Sequence, residues 1–209
     1  MPTMVPTESG FKGGLKMVTR YPSSTPALLS DIILFDAETG ERLAYMDCTW
    51  ITAMRTGAVA VHSILNFAKK DFKTVAMLGL GNTCRSTLLV LASMVRDREL
   101  TIKLLKYKDQ HESFMKRFEG FENLKFICVD TNEELVKGSD VIVSCVTYFG
   151  EDLCNDDCFD EGVLVVPVIL ADLQIVTCFL TRCTRMITVM YTTLKILINL
   201  NILQKSVMS

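Results

Sequence analysis

The amino-acid sequence predicts an α/β protein with a parallel sheet, preceded by a smaller α+β segment. From residue 73 onward, short apolar strands alternate with helical stretches, which is typical of βαβ units. A glycine-rich turn stands between the first of these strands and its helix. The chain has 209 residues, of which 49% are hydrophobic and 22% charged, so it is long and apolar enough to bury a core.

The composition argues against several classes of protein. A net charge of −2, from 22 basic and 24 acidic residues, does not fit a protein that binds the phosphate backbone of nucleic acids. Eight cysteines in a chain of this length are too few for a disulfide scaffold. The first residues do not show the charged, apolar and cleavage segments that predict a secretion signal. We therefore expect a cytoplasmic protein that binds neither nucleic acid nor a membrane.

The first 70 residues predict strands followed by a helix. The apolar stretch Leu15–Val18 is expected to form a strand. Two β-rich runs, 31–36 and 42–47, flank a short loop that contains Gly40, which predicts a hairpin. From Thr49 to about residue 69 the apolar residues recur at helical spacing.

The next part of the chain predicts the parallel sheet. Its expected strands cover residues 73–78, 101–107, 125–129 and 140–145, and its expected helices cover 85–97, 110–118 and 132–137.

The glycine-rich turn follows the first of these strands and opens a helix, as in a Rossmann-like dinucleotide-binding domain. Gly79 would allow the tight turn, and Gly81 would let the backbone approach a pyrophosphate at the helix N-terminus. Asn82 and Thr83 complete the candidate loop, and Cys84 takes the third small-residue position. The alternative is a tight turn that binds nothing.

Basic residues follow the second strand of the predicted sheet, where a ribose-binding acid usually stands. Lys106 and Lys108 there would suit a 2′-phosphate and favour NADP. Two alternatives stay open: the lysines are solvated charges at a strand end, or the strand runs longer and Asp109 is the ribose-binding acid.

A polar cluster marks the helix after the hairpin. Thr52, Arg55 and Thr56 are three and four residues apart, so one helix face can present a guanidinium beside hydroxyls. Arginine suits bidentate binding of a carboxylate. Lys16 is a basic residue in an apolar strand. The alternatives are a surface salt bridge for Arg55 and an outward-facing side chain for Lys16.

Together these residues resemble the ornithine cyclodeaminase/mu-crystallin family over about residues 1–168. The resemblance rests on Gly14–Val18, Ile33–Glu41, Met46-Asp47, Ile51–Ala58 and the glycine loop, in the family's order. It implies an NAD- or NADP-dependent enzyme, a lyase or an oxidoreductase, that acts on a small amino or imino acid and forms homodimers.

The resemblance also implies roles for individual residues. Lys16 would be the catalytic lysine, assisting proton transfer at the substrate nitrogen or carboxylate. Arg55 would hold the substrate carboxylate, and Thr56 would contact the cofactor. In the cyclodeaminase reaction bound NAD⁺ takes a hydride from the substrate α-carbon to give an imine. The side-chain amine attacks this imine, ammonia leaves, and the hydride returns to give proline. Relatives dehydrogenate alanine or reduce imines.

The sequence departs from the family pattern at both ends. The resemblance implies longer chains and a second substrate-binding arginine upstream, which we expect this chain to lack. Residues 169–209 contain one acid and four bases but no glycine, proline or glutamate. Permitted codons for 169–190, read in the neighbouring frame, can give a histidine-led loop with an aspartate, as in the family. We therefore predict an out-of-frame tail; a hydrophobic membrane segment is the alternative.

The predicted organisation has three parts. Residues 1–70 would form a partial substrate-binding and dimerisation domain, 71–168 a dinucleotide-binding domain, and 169–209 the out-of-frame tail. The expected activity is that of the family, crippled by truncation, with dimer formation in doubt. The alternatives are a non-catalytic, crystallin-like NAD(P)-binding protein and an inactive gene fragment. No metal site is predicted, since Cys154 and Cys158 lack further ligands.

Overall fold

The computed structural model describes residues 2–21, 23–146 and 153–168, which form two sheets with accompanying helices. The predicted out-of-frame tail, residues 169–209, lies outside the described residues and stays a prediction. The chain divides into two compact units, Met1–Thr56 and Gly57–Ser209, and the division falls within the first helix. The predicted domain boundaries also stay predictions. The elements, in chain order, are β1 (Pro2–Thr7), β2 (Gly10–Arg20), β3 (Leu28–Asp36), β4 (Arg42–Asp47), α1 (Thr49–Phe67), β5 (Thr74–Leu78), α2 (Asn82–Met94), β6 (Leu100–Leu105), α3 (Gln110–Lys116), β7 (Leu124–Val129), α4 (Asn132–Val136), β8 (Val141–Ser144) and β9 (Leu164–Pro167).

The first unit contains an antiparallel sheet in the order β1-β2-β3-β4. The predicted strands and the hairpin between β3 and β4 are confirmed, with longer β2 and β3 than expected. The sequence analysis missed β1, because Pro2 and Pro6 indicate a loop. β1 lies at the edge of the sheet, where a strand tolerates proline because one row of its backbone groups faces outward.

The turn of the β3–β4 hairpin is built around Asp36. Its Oδ1 accepts hydrogen bonds from the backbone N–H groups of Glu38 (2.9 Å) and Thr39 (3.0 Å). Its Oδ2 lies 2.6 Å from the Lys12 Nζ on β2. Gly40, with φ of +75°, closes the turn in a conformation that favours glycine. Asp36, Thr39 and Gly40 therefore have a structural role in this turn.

The two faces of the antiparallel sheet differ, since side chains alternate along each strand. One face carries Lys16 on β2 and Ser30 on β3. The other carries exposed apolar side chains on β2, β3 and β4: Phe11, Leu15, Met17, Leu29 and Tyr45.

The second unit contains a parallel sheet in the order β7-β6-β5-β8-β9, which confirms the predicted α/β class. Strand β8 and residues 75–78 of β5 are fully buried, as expected for central strands covered on both faces. From β5 the chain steps outward through β6 to β7 and then returns to β8 on the other side of β5. Such a reversal leaves a crevice at the carboxyl ends of the two central strands, where open α/β sheets bind ligands.

Among the described residues no helix is long and apolar enough to span a membrane.

Candidate functional site

The glycine loop lies at the carboxyl end of β5 and needs glycine at its first position. Gly79 has φ of +74°. A Cβ atom on Gly79 would lie 2.7 Å from the Val146 backbone nitrogen and 2.8 Å from the Cys145 carbonyl carbon. Any larger residue would therefore collide with the backbone that follows β8. Gly79 lets the loop turn at the point where the strand order reverses.

Gly81 differs, because the fold itself does not need a glycine there. Its φ of −81° suits any residue, and a Cβ atom added to it would meet nothing within 4 Å. It is the N-cap of α2 and offers no side chain to the first-turn amides. These amides, from Asn82 onward, have no carbonyl four residues before them within the helix and can bind an anion. The open space fits a pyrophosphate that approaches the backbone.

Cys84 lies on the buried side of α2, facing β5. Its Sγ is 3.9 Å from the Met77 Sδ, and its side chain is fully buried. A hydrogen bond with Cys145, together with burial, raises the pKa of the Cys84 thiol well above its ordinary value. The residue is a small neutral packing group, as its position in the glycine motif predicts.

The two lysines after β6 have different surroundings. The Lys106 Nζ lies 3.0 and 3.1 Å from the two carboxylate oxygens of Asp130, which follows β7. This hydrogen bond raises the pKa of Lys106 and keeps it cationic. Lys108 is exposed, has φ of +49°, and its Nζ lies 5.3 Å from the centre of the Tyr107 ring. Asp130 was not predicted as a site residue. The only sequence feature that points to it is its position directly after β7, a strand parallel to β6.

In the first unit, Lys16 is half-buried and points to the face that α1 covers. Its Nζ donates to the Thr52 Oγ1, at 3.4 Å. The Thr52 Oγ1 is also 2.7 Å from the Ser30 Oγ. Lys16 is therefore not the outward-facing strand residue considered as an alternative. The sequence analysis did not identify Ser30, because a single serine in an apolar strand carries no pattern.

Arg55 and Thr56 lie further along the same helix. The Arg55 side chain is exposed and forms no salt bridge with any residue that the structure describes. The Thr56 Oγ1 donates to the backbone carbonyl of Thr52, at 2.8 Å. The helix thus presents a guanidinium to solvent, while the neighbouring threonine hydroxyl bonds to the helix backbone.

Gly57 is a packing position between two helices that the sequence patterns did not single out. A Cβ atom on Gly57 would lie 2.7 Å from the backbone carbonyl carbon of Ser86 and from the backbone nitrogen of Thr87. The two helices α1 and α2 therefore approach backbone to backbone at this residue. The contact supports the helix that begins at the glycine loop.

Comparison with known proteins identifies relatives that are named as enzymes of amino acids. N-((2S)-2-amino-2-carboxyethyl)-L-glutamate dehydrogenase of Staphylococcus aureus is 25% identical over 144 residues, which cover 68% of this chain and 43% of the relative. Ornithine cyclodeaminase of Agrobacterium fabrum is 24% identical over 168 residues, 77% of this chain and 46% of the relative.

A solved structure is also similar: that of Thermococcus litoralis Δ1-pyrroline-2-carboxylate reductase in complex with NADH and L-proline. It superposes with a TM-score of 0.64 and 26% identity, covering 79% of this chain and 56% of that one. This chain spans about half the length of the relatives it matches. The sequence profile of one family matches residues 1–174. The chain belongs to the ornithine cyclodeaminase/mu-crystallin family.

Proposed function

We propose that the chain binds NAD or NADP and acts with it on a small amino or imino acid. The observation that carries the proposal is the glycine loop. Gly79 is required by the backbone of Val146, whereas Gly81 meets nothing and leaves the start of α2 open. A tight turn without a ligand explains the first glycine but not the second. A pyrophosphate that approaches the backbone explains the second.

The relatives support the class of cofactor and substrate. The solved reductase from Thermococcus litoralis contains NADH and L-proline, and the similar Agrobacterium protein is an ornithine cyclodeaminase. When bound, a nicotinamide cofactor supplies the hydride acceptor or donor for the substrate α-carbon. Cyclic imino acids and α-amino acids are therefore the substrates to test.

This chain's own residues would handle charge and protons. The amides at the start of α2 would hold the pyrophosphate, and the cationic Lys106 and Lys108 would lie nearest the ribose. The exposed Arg55 guanidinium would bind the substrate carboxylate through two hydrogen bonds. The Lys16 amine would take a proton from the substrate nitrogen in the oxidative direction and return it when an imine is reduced.

We also propose that the chain forms a homodimer, in which the first unit contacts a second copy of the chain. The exposed apolar face of the antiparallel sheet, which carries Leu15, Met17 and Tyr45, supports this. Contiguous exposed apolar side chains on a sheet face mark a surface that pairs with protein. A homodimer is what the family implies.

Turnover is the experiment that tests the proposed function. The purified chain is mixed with NADH or NADPH and Δ1-pyrroline-2-carboxylate, and absorbance by the reduced nicotinamide is followed. Lys16→Met should lower kcat by about 100-fold or more, since positioned proton transfer contributes at least that much. Arg55→Lys should raise KM about ten-fold, because a lysine cannot bind a carboxylate bidentately. Arg42→Lys, an exposed arginine on β4, is the matched control.

Two results would count against parts of the proposal. If Lys16→Met turns over the substrate as fast as wild type does, the catalytic role assigned to Lys16 is wrong. Nucleotide binding without turnover of cyclic imines, alanine or ornithine leaves the non-catalytic, crystallin-like function, or an enzyme crippled as the sequence predicts.

A further inference from the structure

Two buried hydroxyls are hydrogen-bonded to each other near Lys16, and one of them, Thr52, accepts from the Lys16 amine. Ser30 on β3 is 1% exposed and Thr52 on α1 is 6% exposed. Their oxygens lie 2.7 Å apart, and the Lys16 Nζ donates to the Thr52 Oγ1 at 3.4 Å. The Cys48 Sγ is 3.8 Å from the same threonine oxygen. One threonine hydroxyl thus connects the lysine to a buried polar cluster.

The Thr52 hydroxyl behaves differently from other buried hydroxyls on the helices. Such hydroxyls commonly donate to the carbonyl four residues earlier, which satisfies them within their own helix. The Thr52 Oγ1 instead accepts from Lys16 on β2 and shares a hydrogen bond with the Ser30 hydroxyl on β3. This contact crosses from helix to sheet. The usual pattern is followed by Ser63 (to Val59), Ser86 (to Asn82) and Thr87 (to Thr83).

Ser30 is fixed by its own backbone as well as by its side chain. Its N–H donates to the Thr49 Oγ1 at 3.1 Å, and its carbonyl accepts from the Cys48 N–H at 2.7 Å. Thr49 is the first residue of α1, and Cys48 directly precedes it. The serine oxygen therefore has a defined position relative to Thr52, whichever of the two hydroxyls donates.

The direction of these hydrogen bonds can follow the charge of the lysine. A charged Lys16 only donates, so the Thr52 oxygen accepts from it and the Thr52 hydroxyl donates to Ser30. A neutral amine also accepts; the Thr52 hydroxyl can then donate to Lys16 while Ser30 donates to Thr52. In either state no buried hydroxyl is left without a partner, so neither state incurs the cost of an unpaired polar group.

We propose that Ser30 and Thr52 are positioning residues that hold the Lys16 amine in one place in both of its protonation states. The inference rests on the proposed function, in which Lys16 takes and returns a proton. If the hydroxyls could bond to only one protonation state of Lys16, the amine would have to move each time it gained or lost the proton. Because the hydroxyl pair can bond to both states, the amine can stay in one place.

The test measures the accessibility of Lys16 without cofactor or substrate, so its outcome is independent of whether the chain binds a nucleotide. The full chain is labelled with trace acetic anhydride, and the ratio of acetylation at Lys16 to that at Lys12 is read by peptide mass spectrometry. Lys12 lies on the same strand and is held by Asp36, so it serves as an internal reference. The variants are Thr52→Val, Thr52→Ser and Ser30→Ala, with Ser63→Ala as the control for loss of a buried hydroxyl.

The proposal predicts that the ratio rises about three-fold or more in Thr52→Val, the size expected for loss of one hydrogen bond. Thr52→Ser should restore it, Ser30→Ala should raise it, and Ser63→Ala should leave it unchanged. An unchanged ratio in both Thr52→Val and Ser30→Ala overturns the proposal. Equal increases at Lys16 and Lys12 indicate a merely structural role and also overturn it. Ser30→Ala, which leaves the helix sequence intact, decides the matter if Thr52→Val is recovered unfolded.

Discussion

Asp36 shows how a single residue can define a turn. Its carboxylate accepts hydrogen bonds from two backbone amides within the hairpin and from the ammonium of Lys12 on the neighbouring strand. The hydrogen bond from Lys12, followed by those from Thr39 and Glu38, holds the pKa of the Asp36 carboxyl far below its ordinary value of 3.8. The folded state therefore favours the ionised form of Asp36 more strongly than the unfolded state does.

This difference predicts a pH dependence of stability. The contribution of Asp36 is fully present above its unfolded pKa, near 3.8, and is lost as the pH falls below that value. Asp36→Asn should lower the urea midpoint at neutral pH, and the midpoints of the two proteins should converge in acid. Urea unfolding from pH 7 down to pH values below 3.8 measures this. A constant difference across that range would contradict the assignment.

Lys106 and Asp130 predict how the chain discriminates between nucleotides. The carboxylate of Asp130 neutralises Lys106 and would repel the 2′-phosphate of NADP. Asp130→Asn should therefore shift the ratio of the NADPH and NADH dissociation constants about three-fold toward NADPH, the size expected for an exposed ion pair. Fluorescence titration with each nucleotide gives the ratio. Glu99, which directly precedes β6, forms an exposed ion pair with Lys125. Glu99→Gln breaks that pair and should leave the ratio of the dissociation constants unchanged.

The candidate functional residues of the two units differ in how far the sequence reveals them. Lys16, Arg55 and the loop glycines were singled out because they stand in short motifs. Ser30, Gly57 and Asp130 were not, since their roles arise only from contacts with residues distant in sequence. A contact between separate strands or helices leaves no local pattern.

At the level of elements, the parallel strands were the easiest to predict. Runs such as 75–78 and 141–144 are buried on both faces and so consist almost wholly of apolar residues. β1 was the hardest, because its two prolines are acceptable only at a sheet edge, and edge position is a property of the assembled sheet. α2 begins at Asn82, three residues before the predicted start at residue 85, because Gly81 caps the helix without a capping side chain.

The approach of α1 to α2 gives a prediction about these elements. Gly57→Ala places a methyl group 2.7 Å from the α2 backbone, so the helices must separate. We expect the free energy of unfolding to fall by about 1–3 kcal/mol, as for other overpacked sites. Chemical denaturation measures the change, and Gly120→Ala, where a Cβ atom meets nothing, is the matched control. Equal stability of the two variants would show that the helices do not need this close contact.

For the whole molecule, the apolar sheet face of the first unit predicts self-association. Met17 on that face is 54% exposed, and Met94 at the end of α2 is 63% exposed. Met17→Lys should convert a dimer into a monomer, because a lysine there would bury a charge in the interface. Met94→Lys should leave the mass unchanged. Light scattering gives both masses; a wild-type monomer, or a dimer that persists in Met17→Lys, would contradict the proposed pairing.

The central claim is that the loop from Gly79 to Thr83 binds a nicotinamide dinucleotide, and a titration of NADH into the full chain tests it most directly. Wild type should bind saturably. Gly81→Ala, which the fold tolerates, should bind at least about ten-fold more weakly, equivalent to about 1.4 kcal/mol. Gly120→Ala should bind as wild type does. If wild type shows no saturable binding of NADH or NADPH, or if Gly81→Ala binds as tightly as wild type, the account is wrong.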